Sequence, residues 1–511
     1  MNGLVLAVLL PALVALYIWF NDRKLVRYPD EATHISAQRW RGEEVQRCYN
    51  QLQEAKVASL LEGKLPPKTG RRYIVIGGAG FLGGWLVLHL LQRGEDPRNI
   101  RVLDLRAPTR RDLLEGSAKD VDFVQVDIAS RDAVFAAFRK PWPGSNAAPV
   151  TVFHTAATIR FFERHPDLLH LSEAVNVHGT QNVLDAARAT GTNILVYTSS
   201  GSVAVRRSQF MLLPWQKEPP YFTQVINDDF NNLPKRHNQF FSNYAASKLS
   251  AERRVRAADR SDTGSGVLRT GCIRPGNGIY GPGGDLLIQM YIVRKYNPSW
   301  IGSIMQSFSF VENCSLAHLL YEQRLIELED GGKNPDIGGQ AFCIADSGPP
   351  PTYGDAYRAL EQLTDREVTF PHWSPTAMYG IAHLVEAYYL AQRFLSQSRF
   401  AAFAWLMPKL TGDAVFLQPS MFALTNVHLY FDDSRARLSP EKGGLGYVNT
   451  CTTLEGVCQV VADYYRNGTE AITRPITGHA ENQTPLTGAE QAVGSVVEKL
   501  GDGLDATKAM N

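Results

Sequence analysis

Cysteine is scarce and dispersed in this sequence: its 511 residues hold six, at positions 48, 272, 314, 343, 451 and 458. No two have C-x-x-C or zinc-ribbon spacing, so no metal site is expected, and reduced, mostly structural thiols in a cytosol-facing protein are. An excess of charge is missing too, with 52 basic against 51 acidic residues and a net charge of +1. That balance offers no electrostatic footprint for nucleic acid, and no basic block exceeds an ordinary solvated face. There is no internal repeat. The length allows one large α/β domain with a lobe, or two domains.

A long uncharged run occurs at the N-terminus. Gly3 to Phe20 is 18 residues without a charge, followed by Asn21, Asp22, Arg23 and Lys24. As a helix this run covers roughly 27 Å, about the hydrocarbon thickness of an endoplasmic reticulum membrane. No basic residue precedes it and no small-x-small cleavage pattern follows, which favours an anchor over a cleaved signal. The basic residues on its C-terminal side predict a single span over 1–22, with the rest facing the cytosol. The glycosylation-like triplets at Asn313, Asn467 and Asn482 should then be unused.

The remainder divides by composition. Residues 23–70 are polar and charged and read as a helical stalk or linker. From Tyr73 strands and helices alternate, with strands predicted at 73–77, 100–104, 121–126, 150–154, 193–198 and 267–273. Such alternation predicts a doubly wound parallel α/β sheet of Rossmann type over 71–280, with both faces covered. Residues 281–470 are irregular, interrupted by breaks such as Gly348-Pro-Pro-Pro351, and read as a smaller substrate-binding lobe. Within it, 376–395 and 400–407 are apolar; core helices are the default, an interfacial surface admitting a lipid-soluble substrate the alternative. Residues 471–511 are polar and rich in Gly, Thr and Ala, a composition expected to order poorly.

The first strand ends in Ile74-Val-Ile-Gly-Gly-Ala-Gly-Phe-Leu-Gly83. Gly77 allows a tight strand-to-helix turn, Gly80 lets backbone approach a pyrophosphate, and Gly83 lets the helix pack on its strand. The free N–H groups of the next helix then face the anion. Twenty-one residues past Gly83, Asp104 closes the second strand, where a carboxylate accepts hydrogen bonds from an adenosine ribose. An acid there repels a 2′-phosphate and favours NAD; Arg106 leaves NADP open.

Tyr244 and Lys248 stand at i and i+4 of a helical stretch, on one face. Tyrosine is a poor base at neutral pH, but a neighbouring ammonium and an oxidised nicotinamide both favour its phenolate. The pair follows a strand ending Val196-Tyr-Thr-Ser-Ser200, on the sheet edge where such folds bind ligands. Ser200 is positioned to hydrogen-bond the reacting oxygen, with Ser199 as the competing choice.

These residues, with Val152-Phe-His-Thr-Ala-Ala157, Asn176-Val-His-Gly-Thr180 and Arg274-Pro-Gly-Asn-Gly-Ile-Tyr-Gly-Pro-Gly283, resemble the extended short-chain dehydrogenase/reductase superfamily. Within it the resemblance is to the 3β-hydroxysteroid dehydrogenase and sterol-4α-carboxylate 3-dehydrogenase (decarboxylating) group. It covers roughly 70–320 in order, and Phe310-Val-Glu-Asn313, Ala317-His-Leu and Leu445-Gly-Tyr447 continue it. The resemblance implies Tyr244 as proton acceptor, Lys248 as its partner and a cofactor-ribose ligand, and Ser200 as donor to the substrate oxygen. It implies a cofactor site of Gly77, Gly78, Gly80, Phe81, Leu82, Gly83 and Asp104. Asp127 and Ile128 would lie by the adenine, Ala156 and Ala157 by ribose and phosphate, and Pro275 against the nicotinamide. Asn176 reads as a structural helix residue rather than a proton relay.

Two departures stand out. Ile76 replaces the family's usual Thr and removes a turn-bracing hydroxyl. The 43 residues between Ser200 and Tyr244 contain Pro214, Pro219, Pro220 and Pro234, which predicts a long loop over the substrate site. The resemblance implies oxidation of a sterol or steroid 3β-hydroxyl at the endoplasmic reticulum membrane, with or without loss of a C4 carboxylate. The alternatives are dehydrogenation with Δ5–Δ4 isomerisation, another extended-family reductase or epimerase, and a non-enzymatic membrane scaffold. The sequence names no protein partner.

Overall fold

Short runs of β-branched and apolar residues build the centre of the molecule. In the computed structural model they form Arg72–Ile76 (β1), Ile100–Asp104 (β2), Asp122–Gln125 (β3), Val150–His154 (β4), Ile194–Thr198 (β5), Val267–Pro275 (β6) and Ala341–Ile344 (β7). The structure describes residues 2–55, 61, 63–144, 148–399, 401 and 407–468, with backbone only for 2–8 and 55. The seven strands pair in parallel in the order β7-β6-β5-β4-β1-β2-β3, and Ser261–Asp262 adds an eighth, antiparallel to β6. This is a Rossmann-type sheet. The order reverses between β1 and β4, which opens a crevice at the carboxyl ends of the strands.

The period-two alternation of each strand divides its side chains between two cores. Tyr73 and Val75 of β1 face a core that includes Leu86 and Leu90 of helix Phe81–Gln92 (α3) and Leu325 of helix Val311–Glu329 (α7). Ile74 and Ile76 face the other. There they meet Val134 of Arg131–Arg139 (α4), Val183 of Thr180–Ala189 (α5) and Val255 of Asn243–Ala257 (α6). Both sheet faces are thus covered, as parallel sheets require.

All six expected strands are present, and β7 is an addition from within 281–470. It extends the sheet by one strand at the edge beyond β6. Segment 201–243 is more than a loop, because Thr223–Ile226 pairs in parallel with His428–Phe431. Residues 23–70 include helix Gly42–Ala55 (α2), which packs on helix Thr453–Asn467 (α9) and buries Val45.

The expected membrane span is corrected by the structure. Helix Asn2–Leu25 (α1) exists, but among the described residues no helix is long and apolar enough to cross a membrane. The physical reason lies in its second half, which docks on protein: Asn21 is fully buried and bonds Phe210 O and Thr376 Oγ1, both at 2.8 Å. Helix Pro375–Ser396 (α8) is half core, burying Met378, Tyr379 and Ala382 while Leu384 remains 72% exposed. The apolar stretch at 400–407 lies mostly, and the tail 471–511 wholly, outside the described residues.

Candidate active site

The glycine turn is shaped by close approach. Gly77 has φ of 81°, and its N–H donates to Leu103 O at 2.7 Å, tying the turn to β2. A Cβ on Gly77 would lie 2.7 Å from Thr155 Oγ1 and 2.8 Å from Ala156 N; one on Gly83 would lie 2.1 Å from Gly77 O. Only bare backbone fits there. Gly80 is the N-cap of α3 and offers no side-chain cap, so the N–H groups of the first turn, including Phe81 and Leu82, face the crevice end of the sheet. A Cβ on Gly78 would meet both Val102 methyls at 2.9 Å. This cradle fits a dinucleotide pyrophosphate. The hydroxyl missing at Ile76 is supplied by the residue that follows β4, where Thr155 Oγ1 donates to Ile76 O at 2.9 Å.

Asp104 ends β2 beside the turn. Its Oδ2 accepts from Ala79 N at 3.1 Å and its Oδ1 from Arg106 N at 3.3 Å, while burial pushes its carboxyl above the usual range. Asp104 therefore braces the turn. Asp127 is exposed and accepts from Ala129 N at 2.9 Å, whereas Ile128 is buried beneath Gly179. Ala156 and Ala157 follow β4 and are half-buried at the switch point. Pro275 ends β6 and is buried opposite Ile344.

Helix α6 begins at a cap, with Ala245 N donating to Ser242 Oγ at 3.3 Å. Its inner face presents Tyr244, Lys248 and Glu252 on successive turns. Lys248 is 1% exposed; its Nζ donates to Thr198 O at 2.6 Å and lies 4.2 Å from the centre of the Tyr197 ring. Burial lowers the Lys248 pKa to about 7, with Cys272 and Glu252 opposing it. Burial also pushes the Tyr244 phenol up to about 12, and a hydrogen bond with Ser200 draws it back.

The two candidate serines separate cleanly. Ser199 is buried and donates to Glu252 Oε2 at 2.6 Å. Ser200 is half-buried, shares a 2.7 Å hydrogen bond with Ser202 Oγ, and bonds Tyr244. Only Ser200 has its hydroxyl at the phenol. Behind them, burial lowers His318 to about 4; its Nδ1 donates to Cys314 O and its Nε2 accepts from Thr198 Oγ1 at 2.7 Å. Asn176 lies in a π-helical turn, Ala174–Gly179. Its Nδ2 donates to Thr158 O and Ser247 Oγ, and its Oδ1 accepts from Thr158 N.

Phe161, Trp300, Trp373, Leu417 and Met421 pack on the same core as Tyr244, and Phe161 stacks on Phe416 with ring centres 5.5 Å apart. Glu252, Arg274 and Thr198 are participants that sequence reasoning overlooked. Glu252 carries a legible signal, four residues beyond Lys248 on the same face, but its partners are set by strand pairing. Among the described residues no cluster of His, Cys, Asp or Glu could hold a metal ion.

The profile of the 3-beta hydroxysteroid dehydrogenase/isomerase family matches residues 74–368. A 3beta-hydroxysteroid-dehydrogenase/decarboxylase isoform 2 of Arabidopsis thaliana is 27% identical over 412 residues, 78% of this chain and 62% of that protein's length. The 3 beta-hydroxysteroid dehydrogenase type 7 of Mus musculus is 28% identical over 372 residues, 71% of this chain and 89% of its own. Among solved structures, a UDP-glucose 4-epimerase of Thermotoga maritima superposes with a TM-score of 0.51 at 16% identity, covering 77% of this chain and 99% of that one. That likeness is one of fold.

Proposed function

The chain belongs to the 3-beta hydroxysteroid dehydrogenase/isomerase family and is with it an NAD-dependent oxidoreductase, and on that premise we propose that it oxidises the 3β-hydroxyl of a sterol or steroid to the 3-ketone. The observation carrying this reading is the convergence of Tyr244, Lys248 and Ser200 at the carboxyl edge of the sheet. Bound NAD supplies the hydride acceptor. In this reading Tyr244 Oη takes the proton of the substrate hydroxyl and Ser200 Oγ holds its oxygen. Lys248, held by Thr198 O, places a positive charge one helical turn from the phenol and lowers the cost of its ionisation.

Gly77, Gly78, Gly80, Phe81, Leu82 and Gly83 would hold the pyrophosphate, and Asp104 the ribose with a preference for NAD over NADP. Asp127, Ile128, Ala156, Ala157 and Pro275 would line the rest. Residues 281–470, apart from β7 and α7, would cover the substrate. Where the substrate bears a C4 carboxylate, the new ketone is a β-keto acid. Hydrogen bonds from Ser200 and Tyr244 would then stabilise the enolate left by loss of CO₂. Exposed Leu9, Leu13, Leu16 and Trp19 on α1, with Arg23 and Lys24 beside them, suit adsorption to an endoplasmic reticulum surface from the cytosolic side.

The test is a panel of 3β-hydroxysterols, with and without a C4 carboxylate, incubated with purified protein and NAD and read by mass detection. The expected result is a 3-ketone with nicotinamide reduction. CO₂ release marks the carboxylate substrate, a conjugated enone marks isomerisation, and tight NAD binding without turnover would remove the enzymatic reading.

A further inference from the structure

A buried ion pair lies directly behind the reacting groups. Arg274 Nε and Nη2 donate to the two Glu252 oxygens at 2.9 and 2.6 Å, and both side chains are 0% exposed. Ser199 Oγ adds a third bond to Glu252, at 2.6 Å. Arg256 Nη1 stands 3.5 Å from Glu252 Oε1, and Asp228 faces Arg274 from segment 201–243. Each partner is tied to a residue of the site, two through the chain and one through a helix face. Ser199 precedes Ser200, Arg274 precedes Pro275, and Glu252 is on the helix face that carries Tyr244 and Lys248. Strands β5 and β6 run side by side here, with Thr198 opposite Ile273 and Ser199 N donating to Ile273 O at 2.7 Å.

We propose that Glu252 is a positioning residue that holds the substrate-oxygen donor Ser200, the nicotinamide wall Pro275 and the Tyr244–Lys248 face in register through Ser199 and Arg274. The proposal rests on the dehydrogenase reading of the site and deepens it. The geometry favours positioning over simple stability for a physical reason. A buried ion pair is weak as a stabiliser, because desolvation of both charges offsets their attraction, and apolar or neutral replacement of both partners is often tolerated. Its directional bonds instead specify geometry to a fraction of an ångström, and hydrogen-bonded support of this kind is what a catalytic constellation needs.

The experiment compares Glu252→Gln, Arg274→Met and the double variant. It measures kcat and sterol KM, the thermal midpoint, and the affinity and emission of bound NADH. Each single change should lower the midpoint by leaving its partner uncompensated, and the double variant should recover it. Positioning predicts that kcat of the double variant stays at least about tenfold down while sterol KM moves less than about threefold. Recovery of kcat together with the midpoint would show mere packing and overturn the proposal. Should these variants fail to fold, Ser199→Ala removes a single bond and must still lower kcat by about threefold or more; full activity would overturn it. A wild type that turns over no sterol would sink the functional reading, and bound NADH then decides this one. Wild-type emission and affinity in the double variant, or in Ser199→Ala should that one not fold, would refute it, and altered emission would uphold it.

Discussion

Tyr244 shows what a half-buried group demands of its surroundings. Burial pushes its phenol up to about 12, so at neutral pH it holds its proton, and a working base needs positive charge close by. Lys248 can supply that charge only in its ammonium form, which burial disfavours and the Thr198 carbonyl and Tyr197 ring support. Oxidation uses the phenolate, so kcat should climb with pH toward about 12, the climb flattening above about 7 where Lys248 gives up its charge, whereas the reverse reduction uses the phenol and should fall. Tyr244→Phe should reduce turnover by about 10²- to 10⁴-fold, with NADH affinity almost unchanged. Lys248→Met should displace the rise of kcat to higher pH. A flat pH profile would remove Tyr244 as the titrating base.

At the scale of elements, the β1 turn and α3 behave as one unit. Helix α3 can approach β1 because Gly83 has no side chain, and a methyl there would sit 2.1 Å from Gly77 O. Gly83→Ala should therefore displace the start of α3, weaken NADH binding by at least about tenfold and cost about 1–3 kcal/mol of stability, measured by fluorescence titration and urea unfolding. The same element is legible in the sequence, since a buried parallel strand, a glycine turn and an apolar helix each have a local signature. Strand β7 is not. Four residues, Ala341–Ile344, look like any short apolar run, and only pairing with β6 distinguishes them. The choice between Ser199 and Ser200 was open for a related reason. Neighbouring residues of a strand end point to opposite sides, and Glu252, 53 positions after Ser199, decides which hydroxyl is taken.

At the scale of the whole molecule, the chain's first helix belongs to the folded body. Asn21 Nδ2 reaches Phe210 O and Thr376 Oγ1, and its Oδ1 accepts from Leu212 N at 3.2 Å. Asn21→Ala would bury Phe210 O and Leu212 N without these partners. It should lower the unfolding free energy by about 1–3 kcal/mol in a denaturant titration, with sterol KM and NADH affinity unaltered. Unchanged stability would mean that α1 does not dock as described.

Local chemistry was sufficient for the sequence to determine the parallel sheet, the glycine cradle, the Tyr244–Lys248 face and the family, because each is written in residue types at short, fixed spacings. Tertiary structure alone decided that α1 docks through a buried asparagine, that β7 extends the sheet, that Thr155 supplies the brace Ile76 lacks, and that Glu252 unites Ser199 with Arg274. Those outcomes depend on residues far apart in the chain, brought together by strand order and helix packing. Short-range periodicity carries no information about such partners.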